Sequence, residues 1–302
     1  MKELNKIRTV SVIIPTYKNR GGLDNSIDSA LTQDYEGLTE VIVVDDNYPE
    51  SRDRKNTEAL MAKYSDNPKV IYIRHEKNKN GAAARNTGIK ASKGDYIAFL
   101  DDDDLFLPGK LTKQVAYLEE HKEFDAVYCL ARRSKYGCSH SIIEGDGSRE
   151  ILLLESNFFT PSLMFRRAVL EFLNGFDETF RRHQDYELLL RFFSAGYKIG
   201  CVPEVLIEIG VNGGENVPIG KKLDDLKAYF FSKFDSFIQK EDAKTPGFAK
   251  EVYARHYAGV FLSHIKTKNF GGAIKVFTKY FFKAPIVFTK VLYISALLHL
   301  SK

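Results

Sequence analysis

Short apolar runs recur through the first hundred residues at intervals that leave room for a helix between them. They are "VSVII" (Val10–Ile14), "EVIVV" (Glu40–Val44), "VIYI" (Val70–Ile73) and "YIAFL" (Tyr96–Leu100). None alternates cleanly, which is the pattern of strands covered on both faces of a parallel sheet. The intervening segments read as helices. Leu23–Thr32 places Leu23, Ile27, Ala30 and Leu31 on one side, and Thr57–Tyr64 and Ala82–Ala91 are also helical in character. Strand and helix therefore alternate, and the expectation is an α/β fold with a doubly wound, mostly parallel sheet. Ligands of such sheets sit beyond the carboxyl ends of the strands. Three runs end there in polar clusters: Pro15-Thr16-Tyr17, Asp45-Asp46-Asn47 and Asp101–Asp104.

The later chain is less regular. Ala126–Arg132 and the run "KIGCVPEVLIEI" read as strands, and residues 135–150 as a loop or hairpin. Gln184–Gly196 reads as a helix striped with Leu188, Leu189, Phe192 and Phe193 and stopped by Gly196. "GVNGGENVPIGK" reads as a mobile loop, and from Lys222 the pattern is helical to the end. The expected division is residues 1–215 as the ligand-binding domain and 216–302 as a helical appendage. With 302 residues, 44% hydrophobic and 28% charged, a packed core is expected. A net charge of +4 is too mild to argue for nucleic acid. Cys129, Cys138 and Cys201 form no C-x-x-C pair and suit a reducing compartment. The opening "MKELNKIRTVSVIIP" lacks the long apolar run of a signal peptide, so the expected location is the cytoplasm.

The run "YIAFLDDDDLFLP" (Tyr96–Pro108) sets four adjacent carboxylates at the end of a buried strand. Such a cluster repels itself unless it holds a cation, and carboxylate oxygens suit Mg²⁺ or Mn²⁺. On an extended chain Asp101 and Asp103 would face one way, Asp102 and Asp104 the other. The plainer reading makes Asp104 the N-cap of the next helix. Both can hold, with different aspartates in each role.

Taken in order, "VSVIIPTYKN", "EVIVVDDN", "NGAAARNTGIKASKGDYIAFLDDDD" and "GFDETFRRHQDYELLLR" resemble the family 2 glycosyltransferases of bacterial polysaccharide synthesis. The resemblance covers about residues 8–210. It implies a GT-A fold, a nucleotide-sugar donor and inversion at the anomeric carbon. It also implies roles for single residues. Pro15 and Thr16 would end the first strand beside the nucleobase, and Asp46 would accept a hydrogen bond from uracil. Arg85 would lie near the donor, while Asn86 and Gly88 shape its helix. Asp101 would lie near the ribose and Asp103 on Mn²⁺ or Mg²⁺, with Asp102 and Asp104 as possible substitutes in that register. Asp102 is counted with the donor-binding residues. Asp185 would be the general base. Two positions depart from the family pattern: the "DD-G-S" corner reads "DDNYPES", and Gln184 replaces the first acid of the "E-D" pair. Some relatives carry a histidine ligand near residues 208–215; here Asn212 occupies that place, and His183 is a weaker candidate.

The expected reaction needs one metal to stabilise the departing diphosphate and one carboxylate to take the acceptor's proton. The expected donor is a UDP-sugar. The expected acceptor is a saccharide on undecaprenyl diphosphate, in a pathway such as O-antigen or capsule synthesis. Lys275, Lys279 and Lys283 form a basic ridge, and Ile286–Leu300 is apolar but short of the ~20 residues that span a bilayer. This end reads as a helix at the membrane interface, which would put the protein at the inner face of the cell membrane. The plainer reading is a helix packed on the rest with its lysines in water. Three other readings compete. A nucleotidyltransferase would want a glycine-rich phosphate loop after the first strand, where "PTYKNRGGLD" stands. A non-catalytic, transferase-like binding module is suggested only by Gln184. A receiver domain, another binding class, would carry its acidic pair after the first strand rather than the second.

Overall fold

The computed structural model describes residues 7–18, 21–133, 137–138, 142–210 and 218–300. Asn212 and most of the glycine-rich loop lie outside the described residues, as does the side chain of Cys138. Cys129 and Cys201 are buried free thiols.

Among the described residues nine strands form one sheet. In chain order they are β1 (Val10–Thr16), β2 (Leu38–Asp45), β3 (Val70–Arg74), β4 (Tyr96–Phe99), β5 (Leu105–Phe106), β6 (Ala126–Arg133), β7 (Gly137–Cys138), β8 (Met164–Arg166) and β9 (Ile199–Ile209). Their order across the sheet is β3-β2-β1-β4-β8-β6-β9-β5, with β7 on β6. The first four strands pair in parallel. Beyond β4 the sheet is mixed: β8 runs antiparallel to β4 and β6, and β9 runs parallel to β6.

The absence of clean alternation in the apolar runs has its cause in two cores. Val10, Val12, Ile14, Val41 and Val43 face one side, against Leu23, Ile27 and Ala30 of α1 (Leu23–Leu31) and Leu111 and Leu118 of α4 (Lys110–Glu120). Ile42 and Val44 face the other, against Ala84 of α3 (Gly81–Ala91). Each such aliphatic side chain contributes about 1.5–3 kcal/mol by burial. Glu40, the charged residue of its run, is buried; it accepts hydrogen bonds from Ser11 Oγ (2.6 Å) and the Lys93 amide (2.5 Å).

Several expectations need correction. The helix read as Thr57–Tyr64 starts earlier, as α2 (Arg52–Met61), because Ser51 caps it by accepting from the Arg54 amide at 3.1 Å; a 3₁₀ turn continues to Tyr64. Asp104 is not the N-cap of α4; Gly109 holds that place. Nor do the four aspartates run extended. The Asp104 amide donates to the Asp101 carbonyl at 3.1 Å, closing a tight turn that ends the side-to-side alternation.

Backbone contacts divide the chain into two compact units, one of residues 1–148 and 156–213, the other of 149–155 and 214–302. Within the first, α5 (Ser148–Leu152) begins, and α6 (Arg167–Phe172) and α7 (Gln184–Ser194) follow. The second holds α8 (Lys221–Lys244), α9 (Phe248–Lys266), α10 (Phe270–Tyr280) and α11 (Pro285–Leu300). There Arg255 binds Glu155 at 2.6 Å, and His256 Nε2 lies 2.9 Å from the Leu152 carbonyl, tying residues 149–155 to α9.

Lys110, the first residue of α4, is wholly buried, with Nζ donating to Gln114 Oε1 (2.7 Å) above the Phe106 ring. Burial lowers its pKa to about 8. A lysine whose pKa is lowered on folding destabilises the folded chain below that pKa, and the penalty fades as pH rises toward the unfolded value. Relative to Lys110→Met, the wild type should therefore gain about 3 kcal/mol between pH 7 and pH 10.5. Denaturant unfolding of both proteins across this range measures the difference; a constant difference would show that Lys110 titrates normally.

Candidate active site

The polar clusters meet at the carboxyl ends of β1, β2 and β4. Thr16, the last residue of β1, donates through Oγ1 to Asp102 Oδ2 at 2.5 Å, and its carbonyl accepts the Asp46 amide at 2.9 Å. Pro15 precedes it, paired with Val44 in the parallel register. Arg85, in the second turn of α3, reaches two further elements. Its Nη2 donates to Asp101 Oδ1 at 2.5 Å, and its Nη1 donates to Gln184 Oε1 at 2.9 Å. Arg85 is 9% exposed, and its Nε is buried without a hydrogen bond. One guanidinium thus joins the acidic turn to the first residue of α7, and Asp185 is the next residue.

Asp185 lies in the first turn of α7, where an acid complements the helix dipole. Its Oδ1 accepts the Tyr186 amide at 2.9 Å. Burial raises its pKa above the ordinary aspartate value, against the pull of the Tyr186 amide and the charge of Arg85. His183 caps the helix in a left-handed conformation (φ 59°) and stacks on Tyr186. Gln184 makes the hydrogen bond to Arg85 that a glutamate would make, with no charge of its own.

The acidic turn is gripped through its backbone. The Gly210 amide, just past β9, donates to Asp104 Oδ1 at 2.8 Å. A Cβ on Gly210 would overlap the Asp103 carbonyl oxygen, and one on Gly22 would come within 2.8 Å of the Asp102 carbonyl oxygen. Burial pushes the Asp102 carboxyl up to about 7, opposed by the Thr16 hydroxyl and helped by the charges of Asp103 and Asp101. Asp104 is raised as well, by burial first and by Asp101 next. Among the described residues no three His, Cys, Asp or Glu side chains converge into a cage for a metal ion. The donor set at the turn is nonetheless all hard oxygen, the chemistry of a Mg²⁺ or Mn²⁺ held by one or two carboxylates and completed by substrate phosphates.

Asp46 stands apart from the other expected contacts. It is 2% exposed, and both its oxygens are engaged: Oδ1 with His75 Nδ1 and the Lys79 amide, Oδ2 with Asn78 Nδ2 and the Asn80 amide, all at 2.8 Å. The carboxylate expected to meet uracil binds the loop at 75–80 through both oxygens. That loop delivers Asn80, which caps α3 by accepting from the Ala82 and Ala83 amides and so sets where Arg85 emerges. Asp45 is engaged in the same manner, by Arg54, Tyr72 and Asn47.

Asn86 does more than shape its helix. Its side chain donates to the Phe176 carbonyl and accepts the Phe176 amide, each at 2.8 Å, which pins the approach to α7. Gly22, Gly210 and this clamp were not picked out from sequence. A buried asparagine beside Arg85 in α3 was the available signal for the clamp; spacing gives none for Gly210.

A family model described as "Glycosyl transferase family 2" matches residues 11–189. The chain belongs to glycosyl transferase family 2. The chain is accordingly a glycosyltransferase with a GT-A fold. Glycosyl transferase relatives extend the likeness beyond the matched segment. The uncharacterized glycosyltransferase RT0329 of Rickettsia typhi is 31% identical over 244 residues, 76% of this chain and 71% of the relative. MJ1057 of Methanocaldococcus jannaschii, also an uncharacterized glycosyltransferase, is 27% identical over 239 residues, 74% and 78% of the two chains. Among solved structures, S. aureus TarS 1-349 in complex with UDP-GlcNAc superposes with a TM-score of 0.61 at 18% identity, over 90% of this chain and 91% of that one. The mannosyltransferase PcManGT of Pyrobaculum calidifontis, in complex with GDP-Man and Mn²⁺, gives 0.56 at 18% identity, over 97% and 76%. At that identity the two structures speak for the fold alone.

Replacing Asp46 by alanine strands four donors in the loop at 75–80. The expected cost is about 3 kcal/mol in denaturant unfolding, with faster hydrogen exchange at the Lys79 and Asn80 amides. Unchanged stability with weakened UDP binding would return the carboxylate to the nucleobase.

Proposed function

We propose that the protein is an inverting, metal-dependent glycosyltransferase that moves a hexose or N-acetylhexosamine from a UDP-sugar to an acceptor hydroxyl. The carrying observation is the Arg85 bridge, which holds the acidic turn and the residue before Asp185 in one hydrogen-bonded assembly. In support, one structural neighbour binds UDP-GlcNAc and another binds GDP-Man with Mn²⁺.

In this reading residues 1–215 form the catalytic domain and residues 216–302 an appendage. Pro15 and Thr16 border the nucleobase, Asp101 and Asp102 face the ribose side, and Arg85 adds positive charge near the diphosphate. Asp46 acts through the loop it anchors rather than by its own carboxylate. Asp103 would hold Mn²⁺ or Mg²⁺, which stabilises charge on the departing diphosphate as a Lewis acid. Asp185 removes the proton from the acceptor hydroxyl as that oxygen bonds to the anomeric carbon. The bond from that carbon to the diphosphate breaks on the opposite face, and UDP leaves with the electron pair. One displacement inverts the centre. The raised pKa of Asp185 makes it a stronger base while leaving it ionised at higher pH. The acceptor in this reading is a saccharide on undecaprenyl diphosphate at the inner face of the cell membrane, and the product a surface polysaccharide such as O-antigen or capsule.

Asp185→Asn should lower turnover by about a thousandfold or more while UDP titration stays near wild type, since only the proton acceptor is lost. A variant with substantial activity would acquit Asp185 of the base role. Asp103→Ala should abolish the Mn²⁺ dependence of UDP binding in calorimetry; an unaltered titration would reject the metal assignment. The rate should also fall as pH drops through the Asp185 pKa, with a midpoint above the ~3.9 of an ordinary aspartate. A flat profile down to that value would contradict a base of raised pKa. Hydrolysis assays over several nucleotide sugars identify the donor, and no hydrolysis or transfer with any of them would favour the binding-module reading.

A further inference from the structure

Charge is unevenly placed along this chain. From Val252 to Lys302 there are eight Lys or Arg and no Asp or Glu. Of the 44 Lys and Arg, 36 remain in the first 251 residues against all 40 acids, a formal charge of −4 there. The basic excess of the protein thus lies wholly in α9 to α11 and the residues around them.

Ring packing decides which sides of these helices face out. Phe261 of α9 meets Phe277 of α10 and Phe288 of α11, with centroids 5.8 and 5.9 Å apart, and Phe288 is fully buried. The exposed side carries apolar and basic side chains together, with Thr278 and Thr289 among them. Phe270 (60% exposed) and Ile274 (64%) lie one turn apart on α10, and Phe282 (71%) follows in the turn beyond it. Lys275 and Lys279 lie one turn apart on α10, and Lys283 follows in the 3₁₀ turn, where it and Lys279 flank the Tyr280 ring; this is the lysine ridge, and all three are exposed. Past Pro285, α11 adds Ile286 (83%) and Tyr293, with Lys290 between them at the rim of a shallow depression. Apolar side chains of this size, side by side and uncovered, mark a contact surface. No helix of the described residues is long and apolar enough to cross a membrane.

We propose that α10, α11 and the turn joining them dock on the surface of an anionic phospholipid bilayer. Phe282 and Ile286 enter the boundary of the acyl region, and the lysine ridge meets lipid phosphates. Charge selects this occupant over a second copy docked through the same face, which would set one lysine ridge against another. The proposal gives the lipid-borne acceptor of the preceding section a surface to share, and in that sense rests on that reading, but its test needs no acceptor.

The full chain is sedimented with vesicles of phosphatidylcholine, with and without phosphatidylglycerol. Binding should be about tenfold or more tighter to the anionic vesicles and should weaken as salt rises. Two variants at exposed positions separate the contributions: Phe282→Ser with Ile286→Ser, and Lys275→Gln with Lys279→Gln and Lys283→Gln. Each should bind anionic vesicles about tenfold or more weakly, with circular dichroism unchanged. No preference of the wild type for anionic vesicles, or full binding by both variants, would overturn the proposal. So would a stable dimer in light scattering that the Phe282→Ser, Ile286→Ser variant dissolves. UDP titration of the same variants should match wild type, so failure on vesicles and failure of the donor reading are told apart.

Discussion

The ion pair between Arg85 and Asp101 is the contact on which the candidate site depends. Four adjacent aspartates at the end of a buried strand require a nearby positive charge, and Arg85 supplies it from a neighbouring helix. It can do so because α3 starts at a fixed point, where Asn80 caps the helix with a positive φ (91°). Asn80 is held in turn by the Asp46 carboxylate. A chain of contacts therefore runs from the tip of β2, through the cap and body of α3, to the acidic turn and the first residue of α7. No member of it is far from another in space, yet they come from four separate stretches of sequence.

Much of the first hundred residues was legible because two-faced burial leaves its mark locally. β1 to β4 and α1, α3 and α7 fall where apolar runs and helical stripes put them. The beginning of α2 was hidden because Arg52–Asn56 is wholly polar, and a serine cap rather than periodicity starts the helix. β5, β7 and β8 have only two or three residues each, too few for any period to register. β5 and β7 pair at the edges of β9 and β6, and β8 fills the gap between β4 and β6. The aspartates misled in another way. Following a strand, they read as an extended run, but the Asp104 amide closes a turn on the Asp101 carbonyl, and Gly22 and Gly210, lacking side chains, let other backbone lie against it. Asp46 was legible as important and not as an anchor, since its partners at 75–80 have no local relation to it.

Gln184 shows how a site can tolerate a departure from its family's pattern. What Arg85 needs from that position is an acceptor oxygen, and an amide has one. The geometry persists while the local charge becomes less negative by one, and the guanidinium keeps more of its positive potential for an anionic ligand. Loss of an acid is thus poor grounds for inferring loss of chemistry when the hydrogen bond survives.

The clasp between Gly210 and Asp104 joins residues 106 apart in sequence. During synthesis the strands β1 to β4 leave the ribosome well before β9 does, and local contacts can organise them early. The acidic turn would then hang unsupported on one side, its carboxylates exposed to solvent and to stray cations. Only when β9 slots in beside β6 does the turn acquire its final backbone support. The candidate centre is thereby among the last parts of the molecule to mature, so a nascent or truncated chain can possess most of the sheet and still lack a working centre.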